Sequence, residues 1–211
     1  MATKENPPIL TQDSTLQELL LRELKKEKAR AIFTKTLNAP FAIVSCQQRT
    51  SWQDHVKDFP RRGSGTCSPK HYYLGAQLEA LEIPVIYVST PFLWQELPVN
   101  YPHELQALVE KMPVQNHLSL LADLDGFWQT VDATWDRPLG QVGFSVPEEN
   151  YELETSSLAV IPSGKQVFHY SAEEKFEWIK ELRKSMPYSE IPDRFYLKLN
   201  NWFQEVRQQT V

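Results

Sequence analysis

Apolar positions recur along this chain with two different periods, and the switch between them separates a helical start, a β-rich middle and a helical end. Leu16, Leu19, Leu20 and Leu24 fall at helical spacing behind Ser14-Thr15-Leu16-Gln17, which reads as a capping box. The spacing predicts a helix whose leucine face packs inward. Lys25, Lys26, Lys28 and Arg30 follow as a basic run, either a solvated face or a dock for an acidic partner or carrier. From Asn38 to Gly65, with Pro40 and Pro60, no period holds and the chain reads as irregular. The helical stripe returns after Cys67, in Leu74, Leu78 and Leu81, with Tyr73, Ala76 and Ala80 beside it. Pro69 fits only a first helical turn, so Cys67 stands at the N-terminus of this helix.

Ile83-Pro84-Val85-Ile86-Tyr87-Val88 is rich in β-formers and predicts a strand. A proline-rich segment, 91–113, carries Phe92, Trp94 and Tyr101. Two further strands, His117 to Ala122 and Phe127 to Val131, are joined by Asp123-Leu124-Asp125-Gly126, a hairpin signal. Residues 136–170 read as loop with short strands. Ser171-Ala172-Glu173-Glu174 caps a helix with Phe176, Ile179 and Leu182 on its core face. Pro187 and Pro192 break the pattern before a last helix carrying Phe195, Leu199, Trp202 and Val206. With no repeat, low-complexity tract or linker, the expectation is a flexible N-terminus, 1–13, and a single domain, 14–211.

A hydrophobic content of 41% is that of an ordinary folded domain. The net charge of −5 argues against nucleic acid or an anionic membrane as partner. No segment is apolar for long enough to span a bilayer, and the N-terminus lacks a signal-peptide core. A cytoplasmic location is the expectation. The two cysteines, Cys46 and Cys67, are too few for a disulfide framework and should be free thiols. Cys46 follows Phe41-Ala42-Ile43-Val44 and reads as an inert buried thiol. His55, His103 and His169 show no partner pattern and read as surface or loop residues. No His-Cys or His-Glu pair has ligand-like spacing beside other ligands, so neither a metal nor an organic cofactor is expected.

Cys67 is the residue that carries chemistry. A free thiol has a pKa of about 8.5, which a helix N-terminus and a nearby imidazolium lower. His117 opens a strand and can supply that imidazolium, then protonate a leaving group. Asp132, in Trp128-Gln129-Thr130-Val131-Asp132-Ala133-Thr134-Trp135-Asp136, can fix the imidazole's tautomer and orientation. Asp136 is the nearest substitute, but its place beyond Thr134-Trp135 suits a turn-stabilising role. The Cys67 backbone N–H is one natural oxyanion donor. Gln47, Gln48 and Trp52 are candidates for the second.

In these three elements the chain resembles the transglutaminase-like superfamily of papain-like cysteine enzymes, which includes arylamine N-acetyltransferases and bacterial hydrolases. Gly65-Thr66-Cys67 leading into a helix, His117 opening a strand, and an aromatic followed by Val131-Asp132-Ala133-Thr134 and Trp135 match in order, over roughly residues 60–140. The resemblance implies an α+β fold, with the Cys-bearing helix packed on an antiparallel sheet that carries His117 and Asp132. It departs from the family at Ser119, where an aromatic is usual, and at Lys70 and His71, where small residues are usual. The long 91–113 segment is a further difference.

The expected reaction is acyl transfer through a thioester on Cys67, from an amide, peptide or acyl-thioester substrate. Hydrolysis leads; transfer to an amine, as in a transglutaminase or N-acyltransferase, is the alternative. A non-catalytic binding module on the same fold is the third reading. His71, Trp94, Ser119 and Trp135 are the candidates for lining the substrate pocket, with Tyr101 a further aromatic that serves either there or as a packing anchor.

Overall fold

The computed structural model describes residues 12–43, 50–147, 153, 157–185 and 187–209. Four antiparallel strands form one sheet: β1 Val85–Phe92, β2 Gln115–Leu124, β3 Phe127–Val131 and β4 Val167–His169, in the order β3-β2-β1-β4. Six helices surround it: α1 Gln12–Asn38, α2 Trp52–Arg62, α3 Cys67–Ala80, α4 His103–Val109, α5 Ala172–Lys184 and α6 Glu190–Gln208. The architecture is α+β, and the Cys-bearing helix α3 packs on β1 and β2, as the sequence led us to expect.

The predicted hairpin is present, and its register follows from its turn. Leu124 stands opposite Phe127 and Leu120 opposite Val131, leaving Asp125-Gly126 as a two-residue loop. Both loop residues have positive φ, 61° and 87°, as a type I′ turn requires. Leu118, Leu120, Ala122 and Leu124 alternate along β2 and meet Leu74 and Leu78 of α3 in the first of two cores. Gly75 lets α3 come this close: a Cβ there would lie 2.4 Å from the Tyr87 hydroxyl of β1. The second core gathers α4, α6 and the loop aromatics Trp94, Trp135 and Phe144.

Several expectations are corrected. Helix α1 already runs at Gln12, so Ser14 lies inside it and does not cap it. Its leucine face does not pack inward: Leu16, Leu19, Leu20, Leu21 and Leu24 are all more than half exposed. Only the C-terminal half, through Ala29, Phe33 and Leu37, reaches the core. Part of the basic run finds acidic partners within the chain, Lys25 pairing with Glu82 and Lys26 with Asp125 at two turns.

The stretch read as irregular contains α2, opened by reciprocal capping between Ser51 and Asp54. Its inward face, Trp52, His55, Val56 and Phe59, does keep helical spacing, and Pro60 falls in its last turn. Helix α4 is only seven residues long and was hidden by the prolines around it. Pro192 starts α6 in its first turn instead of breaking it. His103 is exposed, but His55 and His169 are buried, the latter against the Ser89 hydroxyl at 3.1 Å.

One ionic contact ties the C-terminal helix to the centre. Arg207 of α6 grips the buried Asp136 carboxylate with two N–H groups, each at 2.7 Å, and donates a third bond to the Phe41 carbonyl. Asp136 also accepts from the Phe41 N–H at 2.7 Å, so it anchors a neighbouring segment and not merely its own turn. Replacing Asp136 with Ala strands the guanidinium and a buried N–H. We expect a loss of about 3–5 kcal/mol in urea unfolding, as when one member of a buried pair is removed.

Candidate active site

Helix α3 begins at Cys67 because Thr66 leaves helical geometry (φ −74°, ψ −177°) and Pro69 accepts a first-turn place. Thr66 makes no side-chain cap. Among the described residues the Cys67 and Ser68 N–H groups have no partner, so two of the helix's orphan donors stay open beside the thiol. Cys67 itself is half-buried.

His117 comes from β2, where it pairs across the sheet with Thr90, and its ring meets Phe92 edge to face at 6.3 Å between centroids. Its Nε2 donates to Asp132 Oδ2 at 2.7 Å, which leaves Nδ1 clear of that bond, and ring and thiol act on each other's ionisation. Asp132 follows the end of β3 and is fully buried. Oδ1 accepts from the Thr134 hydroxyl at 2.6 Å and the Thr134 N–H at 3.2 Å. Oδ2 accepts, besides His117, the Ala159 N–H at 2.9 Å. Every lone pair that faces protein is used, which is how a buried carboxylate is held ionised.

The charges follow from these contacts. Burial pushes the Cys67 thiol up, but the hydrogen bond and charge of His117, a bond from the Leu118 backbone and the charge of Lys175 outweigh it, and the thiol sits below its ordinary value. Burial pulls His117 down, but the Asp132 carboxylate beside it prevails and holds its pKa well above the ordinary range. Asp132 is raised by burial and lowered by His117 and His71, ending well below the usual carboxylate range. A thiolate facing an imidazolium is the state these shifts favour.

A cavity of about 180 Å³ opens onto Cys67 and His117. Its walls are largely aromatic: Phe41, Phe92, Trp94, Trp135 and Tyr196. Trp94 and Trp135, two of the sequence candidates for a pocket, therefore border the thiol. Tyr101 does not; its hydroxyl donates to the Trp94 carbonyl at 3.0 Å and so holds that wall.

His71 and Ser119 are not pocket residues. Ser119 is buried within the sheet opposite Val88. His71 is fully buried behind the thiol. Its Nδ1 lies 2.8 Å from the Cys67 carbonyl, and its Nε2 accepts the Ala133 N–H at 3.0 Å. That acceptor role fixes Nε2 as unprotonated, so Nδ1 donates to the carbonyl and the ring is neutral. Asp132 Oδ1 lies 3.4 Å away, but the lowered pKa that burial gives His71 agrees with the neutral form.

Trp52 packs against the core that also holds Cys67, with a buried indole N–H that has no partner, and it does not border the cavity. Gln47, Gln48 and Cys46 lie outside the described residues. Among the described residues no cluster of three His, Cys, Asp or Glu side chains is arranged to hold a metal ion, and no helix is long and apolar enough to cross a membrane.

Two contributors escaped the sequence reading, Ala159 and Lys175, and a third, Lys70, entered it only as a departure from the resembled family. Lys70 is fully buried and gives its ammonium to the carbonyls of Leu37, Ala39 and Thr134 at 3.2, 2.8 and 2.9 Å. Ala159 reaches Asp132 through its N–H and accepts from the Trp135 indole at 2.8 Å. Lys175 is buried on α5. The two lysines did leave a signal: each occupies an inward position of a helical stripe, Lys70 four before Leu74 and Lys175 beside Phe176. Ala159 left none.

No family model matches the chain, and no curated protein matches it. Among solved structures, a candidate cysteine protease from Cytophaga hutchinsonii aligns at 19% identity and a TM-score of 0.37. The alignment covers 72% of this chain, which spans about half (48%) of that protein's length.

The charge arrangement makes a pH prediction. The alkylation rate of Cys67 should rise with pH through a midpoint below the ordinary thiol value of about 8.5. In His117→Ala the burial remains and its main compensation is gone, so the midpoint moves up toward or above that value. A stopped-flow pH series on both proteins reads the difference.

Proposed function

We infer that this protein is a cysteine-dependent acyl-transfer enzyme that hydrolyses an amide or peptide bond through a thioester. One observation carries the reading. His117, hydrogen-bonded to the buried Asp132, lines one cavity together with the Cys67 thiol, whose ionisation it favours. The resemblance of the three sequence elements to transglutaminase-like enzymes points the same way.

The reaction divides into two halves. The Cys67 thiolate adds to the substrate carbonyl, and the carbonyl's electron pair moves to oxygen. The Cys67 N–H, with the Ser68 N–H beside it, is open to receive that oxyanion. Trp52 has a spare indole N–H, but its place away from the cavity makes the helix terminus the better donor. When the carbonyl re-forms, the C–N bond breaks and the His117 imidazolium protonates the departing amine. His117, now neutral, takes a proton from water as the water oxygen attacks the thioester. The acid leaves, and the thiolate–imidazolium pair is restored. Asp132 keeps its charge throughout and stabilises each imidazolium.

Trp94 and Trp135 offer an apolar surface to the acyl group. An amine in place of water would turn the second half into a transfer reaction. Water is the more generic acceptor, so hydrolysis remains the leading reading.

Two measurements test this reading. An activated ester, nitrophenyl acetate for example, should add one acyl mass to native protein and none to Cys67→Ala. Decay of that adduct should be insensitive to added amines if water is the acceptor. Asp132→Asn keeps the shape but favours the wrong tautomer, and we expect turnover to fall by about 10⁴-fold. An adduct located away from Cys67 would overturn the assignment.

A further inference from the structure

Beside the aromatic cavity lies a second, larger one of about 620 Å³. Thr66 and Ser68, the two chain neighbours of the nucleophile, border both cavities, and so does Arg183. Cys67 lines the aromatic cavity, and its two chain neighbours carry that wall on into this one.

The second chamber is cationic. Its described lining holds Lys175, Lys180, Arg183 and Lys184 and no acidic side chain. Lys180 and Lys184 are already engaged by Glu177 and Glu181 at the surface. Lys175 and Arg183 have no carboxylate partner among the described residues, and the Cys67 thiolate is the anion whose charge acts on Lys175. Lys175 is only 2% exposed, with its ammonium 5.7 Å from the centre of the Tyr72 ring. Tyr72 is 1% exposed, and its hydroxyl has no hydrogen-bond partner. A buried ammonium and an orphaned buried hydroxyl lining one cavity are costly to a fold unless a ligand completes them.

We propose that this cavity is a subsite for a carboxylate carried by the substrate, bound by the Lys175 ammonium and the Tyr72 hydroxyl, with Arg183 at the mouth. The proposal rests on Cys67 being the nucleophile. It defines a substrate class: an amide or peptide whose scissile carbonyl lies between an apolar group and an acidic one. Two buried donors suit the two oxygens of a carboxylate, whereas a phosphate brings three and more charge. Arg183 is exposed on α5 and free to draw the anion inward. Burial lowers the pKa of Lys175 to about 8, so the empty subsite is still mostly charged at neutral pH.

Two alkylating agents of nearly equal size test the subsite without knowledge of the natural substrate. Iodoacetate carries a carboxylate and iodoacetamide does not. Both alkylate the same thiolate, so the ratio of their rates cancels any change in Cys67 ionisation. At neutral pH and low salt, iodoacetate should react with the native protein about tenfold or more faster, the scale of one desolvated charge pair. Lys175→Met and Tyr72→Phe should each reduce the ratio. Arg183→Ala, a change at an exposed position that leaves folding intact, should reduce it too. Glutarate should protect Cys67 from iodoacetamide.

Fast iodoacetamide labelling with a ratio near one, or a ratio unmoved by Lys175→Met and Arg183→Ala, overturns the subsite and leaves the nucleophile standing. Protection by inorganic phosphate stronger than that by glutarate overturns the carboxylate assignment. Iodoacetamide labelling no faster than that of a free thiol defeats the nucleophile reading, and the subsite with it.

Discussion

The buried charge of Asp132 is the constraint around which this molecule is arranged. A carboxylate without solvent must find donors for both oxygens or lose its charge. Here the donors come from three places: His117 on β2, Thr134 two residues on, and Ala159 from a distant loop. Satisfying one side chain thus draws a strand, a turn and a loop to a common point. The same Ala159 peptide accepts from the Trp135 indole, so a wall of the aromatic cavity is fixed by the contact that completes the carboxylate. Charge satisfaction and pocket shape are one problem with one solution.

Lys70 and His71 complete the arrangement from the helix side. Lys70 bonds the Thr134 carbonyl, and His71 accepts the Ala133 N–H while donating to the Cys67 carbonyl. The stretch that follows Asp132 is therefore latched to the first turns of α3 by two side chains. Where the resembled family uses small residues, this chain uses two large polar ones with every hydrogen-bonding need met inside. The departure that looked like a change in substrate pocket is a change in how the nucleophile helix is held.

How much of this was legible in the sequence depends on the distance over which each contact acts. The hairpin could be read from the turn residues Asp123-Leu124-Asp125-Gly126, though β2 runs two residues past the expected Ala122 and leaves only Asp125-Gly126 as the loop. Cys67 could be placed at a helix start because Pro69 stands two residues away. Cys67, His117 and Asp132 were singled out by residue type and order, and the fold sets His117 in hydrogen-bond contact with Asp132 and on one cavity with Cys67. The leucine stripe of α1 was read with the right period and the wrong environment, since periodicity gives a face and not what covers it. Helix α2 was missed although Trp52, Val56 and Phe59 keep helical spacing, because Pro60 and the polar residues between them made the stretch read as irregular. Ala159 was invisible because its role is played by a backbone N–H, which every residue except proline has.

The Asp125-Gly126 turn lies at the solvent-facing tip of the hairpin, where insertions are ordinarily absorbed at little cost. In this protein it acts as a ruler. It sets which β2 residue faces which β3 residue, and Asp132 lies one step beyond the last paired position, Leu120 with Val131. A slip of one residue would turn every side chain of a strand to the opposite face. Asp132 would be carried away from His117, and Ala133 and Thr134 away from the latch on α3. The molecule has therefore given up tolerance to length change at an exposed loop, and the thiol at the far end of the hairpin is where that loss is felt.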